Sequence, residues 1–188
     1  MGRLIIVSNR LPISVAKRKD KVSVKRSVGG LATGLGSFYK ESDGYWVGWP
    51  GIPDEKITEE EKAYIQEKCE EESCKPVFLT QADVENYYYG FSNKTIWPLF
   101  HYFTLYAVYR HNYWDAYEKV NQAFCDEVMK IIEPGDTVWV HDYQLMLLPQ
   151  MLRDRVKGIS IGFFLHIPFP SFEIFRLFPW RNEILNGL

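Results

Sequence analysis

The sequence predicts an α/β protein built on a doubly wound parallel sheet. Short apolar runs, rich in branched residues, alternate with helical stretches along the 188 residues. Runs of this kind are typical of strands that are buried on both faces of a sheet. Strands that alternate with helices indicate βαβ units, and such folds bind ligands beyond the carboxyl ends of their strands.

Five runs are interpreted as strands of this sheet, at residues 4–7, 45–49, 75–79, 136–140 and 159–165. Two alternating segments, 13–15 and 22–24, flank a basic stretch and predict an exposed hairpin after the first strand. Helices are expected at residues 30–40, 58–73, 112–133 and 143–156. The second of these helices begins with a capping-box signature, because Glu61 follows Thr58 by three residues.

The composition excludes several classes of protein. Hydrophobic residues make up 46% and charged residues 24%, which are ordinary globular values rather than those of a disordered or fibrous chain. The net charge of −2 argues against nucleic-acid binding. No segment has the ~20 apolar residues of a membrane span, and no signal peptide is recognised. Three cysteines without a CxxC pair favour reduced thiols in a cytoplasmic protein.

Two features near the first strand favour an anionic ligand. Arg10 follows the strand and offers a planar guanidinium that suits a phosphate or a carboxylate, although it could instead pair with an acid on the rim. Gly29 and Gly30 precede a helix, where glycines let an anion approach the backbone, although such pairs are often plain turns. Their spacing is not G-x-G-x-x-G, which disfavours a nicotinamide dinucleotide.

Two further candidates follow the later strands. Asp142 could grip sugar hydroxyls or act as a base, or it could only cap the helix after it. His166 lies in a stiff loop with two prolines, where it could be a functional group or a hydrogen-bonded structural residue. The pair His141–Asp142 could suggest a metal site, but the other histidines, His101 and His111, lack ligand spacing, so no metal or other cofactor is expected.

The aromatic share, 16%, is higher than a core of this size requires. Thirteen aromatic residues fall within positions 87–117, and most of them must pack in the core. An aromatic face can also pack against a sugar ring, so aromatics near anion-binding strand ends indicate a phosphosugar. The basic hairpin at residues 17–26 is interpreted as a solvated loop, with a lid over an anionic ligand as the alternative.

Eight motifs in register carry a family resemblance that spans essentially the whole chain. They are VSNRLP at 7–12, GGLA at 29–32, WVGWPG at 46–51, YYYGFSN at 87–93, WP at 97–98, HY at 101–102, WVHDYQ at 139–144 and FFLHIPFP at 163–170. In this order they resemble the N-terminal domain of the trehalose-6-phosphate synthases. That family consists of retaining glycosyltransferases of the two-Rossmann-domain B type, and it transfers glucose from a nucleotide sugar, usually UDP-glucose, to glucose 6-phosphate.

The resemblance implies an acceptor site for glucose 6-phosphate. Arg10 resembles the arginine that grips the acceptor phosphate, and Tyr88 and Trp97 resemble aromatics that line this site. Asp142 resembles the carboxylate that holds acceptor hydroxyls, and it would position the acceptor rather than attack. Trp49 is expected to help shape the same pocket.

On the donor side, the resemblance implies contacts with UDP-glucose. Gly29 and Gly30 resemble the loop that approaches the donor diphosphate, and His166 resembles the histidine near the donor glucose. Asp142 and His166 are therefore the two residues expected nearest the reaction. Small-molecule substrates are the expected partners, with no nucleic acid and no membrane, and homo-oligomerisation is left open.

The expected domain is a Rossmann-like, acceptor-side N-terminal domain at residues 1–188, truncated and without the donor domain of the family. On this interpretation the chain alone has little or no activity. One alternative is a non-catalytic phosphosugar-binding module. Another is a related synthase with a different phosphorylated acceptor, in which Trp97 and Ile167 would discriminate. The donor nucleotide stays open, because its pocket would lie in the missing domain.

Overall fold

The computed structural model describes residues 2–19, 21–27, 30–35, 39 and 43–188, without the side chains of Leu31 and Ala32. The strands in this part of the chain are β1 (Leu4–Arg10), β2 (Ile13–Arg18), β3 (Lys21–Arg26), β4 (Tyr45–Trp49), β5 (Cys74–Pro76), β6 (Thr137–His141) and β7 (Ser160–Phe164). Five of them form a parallel sheet in the order β5-β4-β1-β6-β7, while β2 and β3 form an antiparallel hairpin.

Helices connect these strands. They are α1 (Gly30–Leu35), α2 (Glu59–Glu70), α3 (Gln81–Asp83), a π-helix (Val84–Ile96), α4 (Trp97–Phe100), α5 (His111–Met129), α6 (Leu148–Arg155), α7 (Phe172–Phe175) and α8 (Arg181–Gly187). Single 3₁₀ turns lie at Asp54–Lys56, Thr104–Tyr106 and Tyr143–Leu145. No described helix has both the length and the apolar character needed to cross a membrane.

The strand order reverses next to β1. The chain leaves β1 for β4 and then β5 on one side, and it returns to the other side of β1 to form β6 and β7. In a doubly wound sheet, the crevice at such a reversal is the usual ligand site. The carboxyl ends of β1 and β6 flank this crevice, and they carry Arg10 and Asp142.

Both faces of the sheet are covered, which confirms the doubly wound Rossmann-like architecture. Alternate residues of β1 enter different clusters, because side chains alternate across a strand. Ile5 and Val7 join the larger cluster, which includes the buried aromatics of the π-helix and α5. Ile6 joins a second cluster with Trp46 and with Ile65 of α2. Of the thirteen aromatics at residues 87–117, six are buried in this packing and six are exposed, so the expectation that most of them pack in the core is not met.

Several sequence predictions are confirmed in detail. The hairpin is present, and the capping box begins α2 with Glu61 N donating to Thr58 Oγ1 and Thr58 N donating to Glu61 Oε2. The third strand is shorter than expected and ends at Pro76. Pro76 lies in an edge strand, where its missing N–H is tolerated, and Val77 N still donates to Gly48 O at 2.9 Å before the pairing ends.

The expected helix at residues 143–156 is the other difference. The structure has the 3₁₀ turn Tyr143–Leu145 and starts α6 only at Leu148. Side chains of α5 occupy backbone groups that an α-helix would need, because Met146 N donates to the Tyr117 hydroxyl at 3.0 Å and Asn121 Nδ2 donates to Gln144 O at 3.1 Å. The chain thus turns sharply after β6 before the helix begins.

The cysteines are Cys69, Cys74 and Cys125, which are buried and form no disulfide. Burial raises the pKa of the Cys69 thiol to about 12 and also raises that of Cys125. Thiols with such pKa values are poor nucleophiles, so these side chains serve as small apolar residues in the core.

Candidate functional site

A cavity of about 320 Å³ opens at the crevice between β1 and β6. Its lining residues are Ser8, Asn9, Arg10, Leu11, Pro12, Ser27, Gly30, Trp46, Tyr88, His141, Asp142, Gln144 and His166. Five of the side chains or glycines expected at the site meet here, namely Arg10, Gly30, Tyr88, Asp142 and His166. The cavity is therefore the candidate site.

Among the described residues, Trp49 and Trp97 were expected at the site but do not line this cavity. Trp97 lines a separate cavity of about 360 Å³ on the aromatic surface, where its ring stacks on His101 at a centroid distance of 4.1 Å. Asn93, which also lines this second cavity, accepts a hydrogen bond of 3.1 Å from the hydroxyl of Tyr143, the residue after Asp142. Gly29 lies outside the described residues.

Arg10 is placed by its neighbours and by the end of β1. Its guanidinium lies over the Trp49 ring, 4.9 Å from the centroid, and the Trp49 indole is fixed by a hydrogen bond from Nε1 to Ile52 O. Gly51 has φ +96°, and a Cβ added there would lie 2.1 Å from Arg10 Nη2. Glycine at this position therefore leaves the space that the guanidinium fills.

Arg10 has no acidic partner within the described part of the chain. Burial lowers the pKa of its guanidinium, with smaller opposing effects from Tyr88 and Tyr89. Arginine nevertheless stays charged at any ordinary pH. A partly desolvated guanidinium without an acidic partner among the described residues favours an anionic ligand over a rim ion pair.

Asp142 lies immediately after β6 in a strained backbone conformation, with φ 77° and ψ 168°. This region is nearly restricted to glycine, and occupying it costs about 1–3 kcal/mol. Oδ1 accepts hydrogen bonds from Tyr143 N at 3.0 Å and from His166 N at 3.1 Å. Burial raises the pKa of Asp142, although these hydrogen bonds act in the opposite direction.

The two interpretations of Asp142 are thus compatible. One carboxylate oxygen caps the turn after β6 and ties it to the loop after β7. Oδ2 has no hydrogen-bond partner among the described residues, so it can accept from a ligand hydroxyl. The strained backbone is consistent with a residue placed for its carboxylate.

His166 is paired with His141, a residue that the sequence analysis considered only as a metal ligand and then rejected in that role. His141 Nδ1 and His166 Nε2 lie 3.0 Å apart, and the two rings are 5.3 Å apart between centroids. His141 is 1% exposed, and burial, together with His166, lowers its pKa to about 4. His141 is the last residue of β6 and His166 follows the neighbouring parallel strand β7, and this placement is the signal that could have identified the pair.

Asn9 is a site residue that sequence reasoning missed. It precedes Arg10 at the end of β1, lines the cavity and is 7% exposed. The buried Tyr87 hydroxyl donates to Asn9 Oδ1 at 3.0 Å, which orients the amide. The signal was its place beside Arg10, but the tyrosine that orients it is 78 positions away.

The cavity combines an unpaired guanidinium, a carboxylate with one unused oxygen and aromatic side chains. Tyr88 contributes its ring, which lies 6.4 Å from that of Trp49. Within the described residues, no three His, Cys, Asp or Glu side chains are grouped so as to hold a metal ion. This set of groups can bind a molecule that carries both an anionic group and hydroxyls.

The description "Glycosyltransferase family 20" belongs to the family model that matches residues 2–188. A trehalose-6-phosphate synthase of Mycobacterium avium is 45% identical over 98% of this chain and 37% of its own length. The chain therefore spans little more than a third of that relative.

Solved structures are similar over the whole chain. The trehalose-6-phosphate synthase of E. coli bound with UDP-2-fluoro glucose is 32% identical with a TM-score of 0.78, and this chain covers 38% of it. The α,α-trehalose-phosphate synthase (UDP-forming) of Burkholderia xenovorans in complex with glucose-6-phosphate is 33% identical with a TM-score of 0.74, and 38% of it is covered. The 188 residues thus have both the motifs and the fold of these enzymes, and the chain belongs to glycosyltransferase family 20.

Proposed function

We propose that the chain forms the acceptor side of an α,α-trehalose-6-phosphate synthase. The complete enzyme would transfer glucose from UDP-glucose to glucose 6-phosphate with retention of configuration. The observation that carries this proposal is the unpaired Arg10 guanidinium in one cavity with Asp142 and Tyr88. Relatives crystallised with glucose-6-phosphate and with a UDP-sugar support the choice of substrates.

The acceptor would bind with its phosphate on Arg10. The guanidinium fork can donate two parallel hydrogen bonds to phosphate oxygens. Asp142 Oδ2 would accept from sugar hydroxyls, and the Tyr88 ring would pack on an apolar face of the sugar. We assign Trp97 to the outer edge of this acceptor site, since Asn93 links its cavity to the turn after Asp142.

The donor would approach from the side of α1. Outside its own helix, a Cβ added at Gly30 would meet no atom of the described residues within 4 Å, which leaves space for a diphosphate to approach. We assign Gly29 and Gly30 to that diphosphate and His166 to the donor glucose. Further donor contacts would come from the part of the relatives that this chain does not span.

The mechanism that fits these groups is a same-face displacement through an oxocarbenium-like state. The departing diphosphate oxygen would help to accept the proton of the attacking acceptor hydroxyl. Asp142 would orient the acceptor rather than form a covalent intermediate, so its contribution is the alignment of two substrates. The two-carboxylate arrangement of most glycosidases is not needed for this chemistry.

Calorimetric titration of the 188-residue chain with glucose 6-phosphate tests the acceptor assignment. Arg10→Ala should weaken binding by about tenfold or more, because a charge-assisted pair to phosphate is lost. Arg18→Ala, in the exposed hairpin, is the matched control and should bind as the parent chain does. Equal affinity in Arg10→Ala and the parent chain would refute the phosphate site.

A transferase assay tests the division of labour. The 188-residue chain alone, given UDP-glucose and glucose 6-phosphate, should show little or no turnover. Robust turnover by this chain would contradict the assignment of donor groups to another segment. Titration with glycerol 3-phosphate and with a cyclitol phosphate tests the acceptor itself, since tighter binding of either would favour a related synthase.

Binding without turnover is also what a non-catalytic phosphosugar-binding module would show. The observation that favours this second function is that Arg10, Tyr88 and Asp142 meet in the cavity, where only Gly30 and His166 are assigned to the donor substrate. Adding a polypeptide that corresponds to the remainder of the relatives separates the two, because only the synthase should then turn over.

A further inference from the structure

The histidine pair at the edge of the site leaves one buried nitrogen without a partner. His141 Nδ1 lies 3.0 Å from His166 Nε2, which is hydrogen-bond distance. The other nitrogen of His141, Nε2, is buried and has no hydrogen-bond partner in the part of the chain that the structure describes. His166 lines both the 320 Å³ cavity and a second cavity of about 330 Å³ beside it.

Only two arrangements of protons allow this hydrogen bond between neutral rings. In the first, His141 Nδ1–H donates to His166 Nε2, and His141 Nε2 is a bare acceptor. In the second, His166 Nε2–H donates to His141 Nδ1, and the proton of His141 must then sit on buried Nε2. The second arrangement leaves an N–H donor buried without a partner, and such orphan donors are rarer in proteins than unsatisfied acceptors.

The surroundings of His141 keep its ring neutral. Its neighbours are the Trp139 ring at 4.6 Å, the Phe164 ring at 6.3 Å and His166. The charged group nearest in the chain, Asp142, uses Oδ1 for the backbone N–H of His166 and of Tyr143. Burial lowers the pKa of His141 to about 4, so the His141 ring is not protonated to an imidazolium near neutral pH.

The first arrangement determines which nitrogen of His166 carries its proton. If His166 Nε2 accepts from His141, the proton of neutral His166 must be on Nδ1. Within the described residues, His166 Nδ1 has no hydrogen-bond partner, and the side chain is exposed to the two cavities. An Nδ1–H there is a donor available to an oxygen of a bound ligand.

We propose that His141 is a positioning residue that fixes His166 as its Nδ1–H tautomer and so presents a hydrogen-bond donor to the ligand crevice. The identity of the ligand oxygen, as a sugar hydroxyl or a diphosphate oxygen, rests on the proposed function. The tautomer itself does not, because it follows from the contacts of the two rings. His141 acts on the reaction only through His166 and needs no contact with substrate.

The test is a long-range ¹H–¹⁵N spectrum of the ¹⁵N-labelled chain, which reports the protonated nitrogen of each histidine. His141 and His166 should both carry the proton on Nδ1, with Nε2 unprotonated. The rings are assigned with single variants of each, and His111, at the exposed start of α5, is the internal control. A spectrum with the proton of His141 on Nε2 would overturn the proposal.

Two variants separate positioning from packing. In His141→Asn the amide nitrogen can occupy the place of Nδ1 and donate, so His166 should stay in its Nδ1–H form. In His141→Leu no donor remains, so the Nδ1–H form of His166 should lose its dominance. Thermal melts confirm that each variant is folded. An unchanged His166 tautomer in folded His141→Leu would contradict the proposal.

These outcomes are independent of the acceptor titration. Should the chain fail to bind glucose 6-phosphate while both tautomers are as expected, the proposed function fails and the positioning role of His141 stands. Should the chain bind glucose 6-phosphate with His166 protonated on Nε2, the proposed function stands and the positioning role of His141 fails.

Discussion

Arg10 owes its position to two residues that do not line the cavity. Trp49 provides a flat surface beneath the guanidinium, and Gly51 leaves the space beside it. Arg10 was a candidate from the sequence, because an arginine at the end of the first strand suits a phosphate, although a rim ion pair was the alternative. The contribution of Gly51 could not be predicted, since a glycine after a proline is usually explained by a turn alone.

Gly51→Ala should therefore weaken glucose 6-phosphate binding by about tenfold or more, because the new Cβ displaces the guanidinium. It should also lower the free energy of unfolding by about 1 kcal/mol through its positive φ. Gly135→Ala is the matched control, because its φ is +93° but no atom lies within 4 Å of an added Cβ. Calorimetry and urea unfolding should show equal destabilisation of the two variants, with binding lost only in Gly51→Ala. Parallel losses of binding would contradict this account.

Among the elements, the turn after β6 shows what the sequence could not reveal. The apolar pattern at residues 143–156 is helical, and α6 does form within it. The first turn is withheld from that helix by Tyr117, whose hydroxyl donates to Tyr143 O at 2.8 Å and accepts from Met146 N at 3.0 Å. A partner more than 25 positions away in sequence is invisible to a local pattern, so the boundary was misplaced.

Tyr117→Phe should lower the free energy of unfolding by about 2 kcal/mol, since two buried hydrogen bonds are lost and their backbone partners are left unsatisfied. Because the same turn places Asp142, binding of glucose 6-phosphate should weaken as well. Tyr64→Phe, on the exposed face of α2, is the control and should change neither quantity. Urea unfolding and calorimetry measure both effects, and a Tyr117→Phe chain as stable as the parent would refute the role of this hydroxyl.

For the whole molecule, alternation of strands and helices predicted the sheet and the end at which the site lies. It did not predict that β1 lies between β4 and β6. That order brings together Arg10 and Asp142, which are 132 positions apart, and the same geometry pairs His141 with His166. Arg10, Asp142 and His166 could be named singly as candidates from the sequence, but their grouping depends on the strand order.

At the amino-terminal edge of the sheet, Arg3 and Asp136 join the starts of β1 and β6. Asp136 is 2% exposed, and its carboxylate accepts from the Arg3 guanidinium at 2.8 Å and from Arg3 N at 2.9 Å. Burial acts to raise the pKa of Asp136, but these hydrogen bonds lower it overall. The carboxylate thus stabilises the fold above its unfolded pKa of 3.8, and this stability is lost as the pH falls through the lowered folded value.

Asp136→Ala should lower the free energy of unfolding at neutral pH by about 3 kcal/mol. The reason is that the Arg3 guanidinium loses its carboxylate partner and two backbone N–H groups lose their acceptor. Asp154→Ala, on an exposed part of α6, should have little effect. Urea unfolding across the acidic range should show the difference between the parent and Asp136→Ala shrinking as the pH falls. A constant difference would contradict the assigned role of the carboxylate.

The conformation of Asp142 has a consequence for engineering. Its carboxylate is buried enough to raise its pKa, while its Oδ1 contacts need only an acceptor, which an asparagine amide would also provide. Replacement by asparagine would keep both contacts and remove a charge that the fold does not favour. A directed-evolution screen that rewards heat resistance alone would therefore be drawn to position 142, and its winners would lose the carboxylate charge that we propose orients the acceptor.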